Sequence, residues 1–417
     1  MTTKTPHSTP ATSPQPAPDA KPSQNGDGML LDVQHLVKHF PVRGGLFSTV
    51  REWVKAVDDV SFRLGVGKTL GLVGESGCGK TTVGRTVLRL ISATGGRVLF
   101  RGTDVLAMGR KELLGLREQM QIIFQDPYGS LNPRMTVGQI IGEPLLLHTT
   151  LRGKALRDAV SELLEQVGLK SYMIDRYPHE FSGGQRQRIG VARAIALKPS
   201  FIVCDEPTSA LDVSIRAQVV NLLQDLQQER NLSYLMISHD LGVVRHISDE
   251  VAVMYLGKIV EQAPTEMLYS DARHPYTEVL LSAIPIPNPK LRAAARIRTM
   301  DTDDSVPSPI NVPPGCAFHP RCPLYASKGK PEECRVTPPE LLPLKTHPEH
   351  LVRCHFPDEM RFSATRHTLK TEVAVEGDAK GSPSAPPSGG DASPSNPQPS
   401  ATAPFPQKSP KSKRKGK

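Results

Sequence analysis

The run KTLGLVGESGCGKTTVGRTVLRL, residues 68–90, constrains the fold more than any other part of the chain. It begins as an apolar strand and passes through Gly74, Gly77 and Gly79. It then continues with apolar residues at helical spacing, at Val83, Val87, Leu88 and Leu90. Gly74, Gly77, Gly79, Lys80 and Thr81 fit the pattern G-x-x-x-x-G-K-S/T. Glycines in such a loop let backbone N–H groups curl around phosphates, and the helix N-terminus adds the positive end of its dipole. Lys80 then reaches the β and γ phosphates and Thr81 ligates Mg²⁺. Glu75, Ser76, Cys78 and Thr82 complete the expected nucleotide-contacting loop. A strand, loop and helix in this order belong to an α/β fold whose parallel strands point at the ligand.

A second apolar strand, in SFIVCDEPTSALD (200–212), ends in two adjacent carboxylates. Asp205, at the strand's C-terminal end, is placed to support Mg²⁺, and Glu206 is the candidate general base facing the attacking water. A third strand, in SYLMISHD (233–240), ends at His239, a candidate γ-phosphate contact.

Composition bounds the remainder. No run approaches the ~18–20 apolar residues of a membrane span, and residues 1–28 lack the apolar stretch of a secretion signal. A membrane role must therefore come through partners. The formal charge of +9 is misleading as a sign of nucleic-acid binding, because its densest source is the terminal KSPKSKRKGK. Residues 1–28 and 367–417 are polar, rich in Pro, Ser and Gly, and expected to be disordered. Between them the sequence predicts a nucleotide-binding domain over 29–270 and a Pro-punctuated region over 271–366. The segment KALRDAVSELLEQVGL repeats apolar residues at helical spacing, at Leu156, Val160, Leu163, Leu164 and Val167. It forms part of a helical insertion, about 126–195.

The order GESGCGKT, FQDP, FSGGQ, CDEPTSALD, SHD resembles the ATP-binding subunit of an ABC transporter. The resemblance implies that Gln125 senses γ-phosphate, ligates Mg²⁺ and couples to the permease. It also implies that Ser182, Gly183, Gly184 and Gln185 contact the nucleotide of an opposite subunit, with Asp212 on the loop between sites. Phe40 matches the aromatic that stacks on adenine, and a core role for this Phe is the alternative. Phe181 stands where the family usually has Leu.

PYTEVLLSAIPIPNP and PPGCAFHPRCP, with NPRMTVGQIIGEPL and RYPHEFSGGQRQRI, resemble dipeptide and oligopeptide importer subunits of bacteria. That resemblance implies an ATPase on the cytoplasmic face of the inner membrane, bound peripherally to two integral-membrane permease subunits. Its other implied partners are a second, different ATP-binding subunit and a periplasmic or extracellular peptide-binding protein, with no nucleic acid. Importers of nickel or glutathione, and soluble ABC ATPases acting on nucleic acid or ribosomes, are the alternatives.

Cys316, Cys322, Cys334 and Cys354 are separated by five, eleven and nineteen residues. In a cytosolic setting disulfides rarely persist, so a metal site is expected. The spacing lacks the CxxC pairs of zinc ribbons. The resemblance favours a [4Fe-4S] cluster. Zn²⁺, with His319 or His355 replacing a thiol, and four unliganded thiols are the alternatives.

Overall fold

The computed structural model describes residues 28–44, 49–284 and 307–359; the expected tails, 1–27 and 367–417, lie outside the described residues. Among the described residues twelve strands follow in chain order. They are β1 (Met29–Gly44), β2 (Thr49–Gly65), β3 (Thr69–Val73), β4 (Gly95–Phe100), β5 (Thr103–Asp104) and β6 (Met120–Ile123). After them come β7 (Phe201–Asp205), β8 (Ser233–Ser238), β9 (Glu250–Tyr255), β10 (Lys258–Pro264), β11 (Leu342–Pro343) and β12 (Leu351–Val352).

The main sheet has the order β11-β12-β10-β9-β3-β8-β7-β6. Its five strands β9-β3-β8-β7-β6 are parallel. Every residue of β3, β7 and β8 is buried, as expected of parallel strands covered on both faces. Alternation along a strand sends neighbours to opposite faces. Val203, Leu235 and Ile237 pack with Leu70, Leu72 and the helix Lys80–Val87 against the antiparallel sheet β2-β1-β4-β5. Ile202, Cys204 and Met236 face the other way, into a core shared with the helices Gly183–Ile195 and Val213–Arg230.

The insertion between β6 and β7 is helical. Helix Val137–His148 starts at Thr136, whose Oγ1 accepts the Gln139 N–H while Gln139 Oε1 accepts the Thr136 N–H. Helix Gly153–Gln166 buries Val160, Leu163 and Leu164 against it, and Val167 just beyond the helix is buried too. The expected apolar stripe is thus core.

The Pro-punctuated region is stitched to the main sheet. β12 pairs antiparallel with β10, at Glu261 with Val352 and Gln262 with Leu351. Glu261 is fully buried and would be costly there without donors. It accepts the N–H groups of Arg273 (2.6 Å) and His274 (3.0 Å) and lies 2.7 Å from His350 Nε2. Burial lowers the His274 pKa to about 3, so its imidazole is neutral and Nδ1 accepts the Tyr276 N–H. Among the described residues no helix is long and apolar enough to cross a membrane.

Candidate nucleotide site

Four neighbouring parallel strands, β3, β8, β7 and β6, deliver the predicted residues to one edge. Gly74 follows β3, His239 follows β8, Asp205 ends β7 with Glu206 next, and Gln125 lies two residues beyond β6. That is the edge at which an α/β sheet receives its ligand. A separate cleft of about 360 Å³, lined by Gly67, Gln227, Asn231 and Asp249, lies at the opposite ends of the same strands.

The loop between β3 and the helix Lys80–Val87 is possible only with glycine at two points. Gly74 has φ +153° and a Cβ there would fall 2.2 Å from the Met254 carbonyl oxygen. Gly79 has φ +111° and a Cβ would fall 1.9 Å from the Ala56 carbonyl oxygen. Lys80 is buried, and its Nζ donates to the carbonyls of Gly74 (2.8 Å) and Glu75 (2.9 Å). Ser76 is exposed and Cys78 buried; burial raises the Cys78 pKa despite the Lys80 ammonium nearby. Thr82 lies in the first turn of the helix, its carbonyl accepting the Thr86 hydroxyl.

The two adjacent carboxylates have different surroundings. Asp205 is buried, and Oδ1 accepts the Thr81 hydroxyl at 2.7 Å. Its Oδ2 is buried without a hydrogen bond, 3.7 Å from Arg85 Nη2. Burial is the main cause that raises the Asp205 pKa. A hydroxyl and a carboxylate with an unused oxygen form a hard, all-oxygen donor set that fits Mg²⁺. Glu206 turns the chain with φ +46°, a conformation L-residues adopt at a cost, held by its N–H donating to the Ile237 carbonyl of β8. Its Oε2 accepts Gln125 Nε2–H at 2.8 Å and lies 3.2 Å from His239 Nδ1. Gln125, Glu206 and His239 therefore meet. Gln125 keeps only Oε1 for a cation.

Other predicted residues stand apart. Phe40, 37% exposed on β1, is not a core side chain; Lys38 Nζ lies 4.8 Å from its ring centroid. Ser182 caps the helix Gly183–Ile195 in a reciprocal box, its Oγ accepting the Gln185 N–H and its N–H donating to Gln185 Oε1. Gly184 is required by packing, since a Cβ would fall 2.3 Å from Ile215 Cγ2. Asp212, exposed, precedes the helix Val213–Arg230. Among the described residues no hydrogen bond joins Ser182 or Asp212 to the loop 74–82.

The four cysteines of the C-terminal region line one small pocket with His274, Phe318, Leu324, Tyr325 and Phe356. Burial pushes the thiols of Cys322 and Cys354 up to about 12, that of Cys334 to about 11, and that of Cys316 upward. Backbone N–H groups reach two sulfurs at 3.4 Å, from Tyr325 to Cys322 and from Phe356 to Cys354. Among the described residues no group of three or more His, Cys, Asp or Glu could hold a metal ion, so the metal site expected of these cysteines finds no support in the structure.

Sequence reasoning missed Arg85, beside Asp205, and the contacts of Tyr276 and Arg321 with Glu75. A basic residue one helical turn after Thr81 was a visible signal for the first. Nothing local marks the other two.

A phosphate loop, a buried carboxylate on its threonine and a cleft carboxylate held by Gln and His define an ATPase of the ATP-binding cassette class. A family model described as ABC transporter matches residues 57–209, and one described as oligopeptide/dipeptide transporter, C-terminal region, matches residues 260–328. The second begins inside β10, ahead of residue 271, in keeping with the β10–β12 pairing. Oligopeptide transport ATP-binding protein AppF of Bacillus subtilis is 50% identical over 327 residues, 78% of this chain and 97% of the relative. Dipeptide transport ATP-binding protein DppF of Escherichia coli is 53% identical over 293 residues, 70% of this chain and 86% of the relative. A solved ATP-binding cassette in a dimeric post-hydrolysis state, bound to ADP and Pi, matches at 25% identity with a TM-score of 0.51. The match covers 57% of this chain and 99% of that one. The chain belongs to the family of oligopeptide and dipeptide transport ATP-binding proteins.

Proposed function

We propose that this chain is the ATP-hydrolysing subunit that energises import of dipeptides or oligopeptides through a membrane permease. The observation that carries the reading is the incompleteness of the site within one chain: Gln125, Glu206 and His239 meet at the strand ends that also carry the loop, while Ser182 caps one helix, Asp212 precedes another, and neither bonds to the loop. Two chains closing head to tail would bring each Ser182 onto the other's nucleotide. The similar cassette solved as a dimer with ADP and Pi supports that geometry. The names of the relatives support peptide as the cargo.

In the closed pair, Lys80 and the loop N–H groups bind the phosphates and Glu206 takes the proton of the attacking water. Mg²⁺ beside Thr81 and Asp205 would neutralise phosphate charge. We assign two integral-membrane permease chains, a second and different ATP-binding subunit, and a peptide-binding protein as partners, with this chain on the cytoplasmic face. Affinity purification should recover two hydrophobic permease chains, and peptide-loaded binding protein should stimulate ATP hydrolysis. Recovery of RNA or ribosomal protein without permease would overturn the assignment.

In the extension, the four thiols are assigned to a [4Fe-4S] cluster. What supports the assignment is the pocket that the four cysteines share and the hydrogen bonds to sulfur at Cys322 and Cys354, since such bonds are part of how clusters are held. Thiols held protonated by burial become ligands only against a cation. Anaerobic purification should give a brown protein with broad absorbance near ~400 nm, characteristic of iron-thiolate clusters, and with stoichiometric iron and sulfide. Colourless protein with stoichiometric zinc would eliminate the cluster, and intact thiols without metal would eliminate both.

A further inference from the structure

Glu75 lies inside the phosphate loop, between Gly74 at φ +153° and Gly77 at φ +83°, where the backbone has little intrinsic stiffness. Every polar group it carries is nevertheless engaged. Its carbonyl accepts from Lys80 Nζ at 2.9 Å and from the Cys78 N–H at 3.3 Å. Its own N–H donates to the Tyr276 hydroxyl at 2.9 Å. Its two carboxylate oxygens each accept from Arg321, Nη1 and Nη2, both at 3.0 Å.

The last two contacts come from far along the chain. Tyr276 belongs to the helix Pro275–Ser282, and Arg321 ends the short turn His319–Arg321. That turn is anchored by Phe318, which is buried with its ring 5.3 Å from those of Tyr255 and Tyr276. Tyr255 ends β9, the strand beside β3, so the anchor rests on the same sheet that launches the loop. Arg321 immediately precedes Cys322, so the thiol pocket limits where the guanidinium can reach.

An exposed ion pair is screened and contributes little. This one differs in two respects: the Arg321 side chain is only 10% exposed and that of Glu75 25%, and the contact is bidentate. A planar fork on a carboxylate fixes orientation as well as distance. Lysine would supply the charge without that constraint.

We propose that Arg321 is a positioning residue of the nucleotide site: it holds Glu75, and through it the phosphate loop, in the shape that receives ATP. The cysteine-bearing extension is thereby a working part of the ATPase. The inference rests on the reading of residues 74–82 as the nucleotide loop.

The test uses the full chain assembled with its transporter partners. It compares R321M, E75Q, the double variant, R321K and Y276F by titration with a fluorescent ATP analogue and by steady-state hydrolysis. R321M should weaken nucleotide affinity and raise KM about tenfold, with kcat within about twofold, because the loop is loosened while Glu206 is untouched, and E75Q should weaken affinity by a similar factor. The double variant should be no weaker than the weaker single one, as for two residues sharing one contact, within about a factor of two. R321K should fall between wild type and R321M. Wild-type affinity and KM in folded R321M, or a double variant whose loss is the product of the single losses, would overturn the proposal. If R321M does not fold, R321K and Y276F decide: wild-type affinity in both would overturn it, and weakened affinity at unchanged kcat would support it. A wild-type protein that bound no ATP would instead remove the reading of the loop itself.

Discussion

Glu206→Gln in the assembled transporter is expected to lower ATP turnover by about 10²–10⁴-fold, the range in which a lost general base is felt, while ATP still binds. Of the two adjacent carboxylates, only Glu206 is arranged for proton transfer. Asp205 is buried, engaged by the Thr81 hydroxyl, and more easily protonated because of its burial. Glu206 ends in the cleft, with Oε2 against Gln125 and His239 and no bond to the phosphate loop. A glutamine has the same shape and can still accept from Gln125, but it cannot take a proton from water. Nucleotide affinity should therefore stay near wild type, and the dimer should persist on ATP by size-exclusion chromatography. Wild-type turnover in this variant would remove Glu206 from the general-base role.

Lys80→Ala is expected to weaken ATP binding by at least about 100-fold, since charge-assisted hydrogen bonds contribute ~1.5–3 kcal/mol each and Lys80 would make more than one to phosphate. A second effect adds to it. Lys80 Nζ donates to the carbonyls of Gly74 and Glu75, and the alanine takes that donor from Gly74 and leaves Glu75 with the Cys78 N–H. Titration with a fluorescent ATP analogue checks the affinity, and hydrolysis should fall in parallel at any practical ATP concentration. ATP affinity within a few-fold of wild type, a difference of under ~1 kcal/mol, would show that the loop N–H groups suffice without the lysine.

The catalytic edge was legible because its residues are tied to local pattern. Gly74, Gln125, Glu206 and His239 each follow an apolar run, and apolar runs of that length become adjacent parallel strands. Phe40 was ambiguous for a physical reason: a phenylalanine packs equally well in a core or against a flat ligand. Its position on β1, with more than a third of its surface open, excludes the core, which composition alone could not do. The attachment of the extension was not legible. Proline-rich composition with four thiols suggested a metal site within the region, and nothing in it pointed to the ties to Glu75 and Glu261, across 246 and 89 residues of sequence. Such pairings leave no periodicity, because nothing about an isolated Arg or His specifies which distant carboxylate it will meet.

The pairing of β12 with β10 also bears on how this protein can be shortened. β10 has five consecutive buried residues, two of them the polar Glu261 and Gln262, and among the described residues its strand partners are β9 and β12. The Arg353 N–H and Nε–H add donors to the carbonyls of Val260 and Ile259. A truncation that ends with the ATPase elements would bare these groups as an unguarded sheet edge, a ready template for another chain to zip onto. It would also take His350 from the buried Glu261. The extension thus covers this edge at two residue pairs, and a chain trimmed to a minimal enzyme is expected to self-associate more readily, a difference light scattering would read.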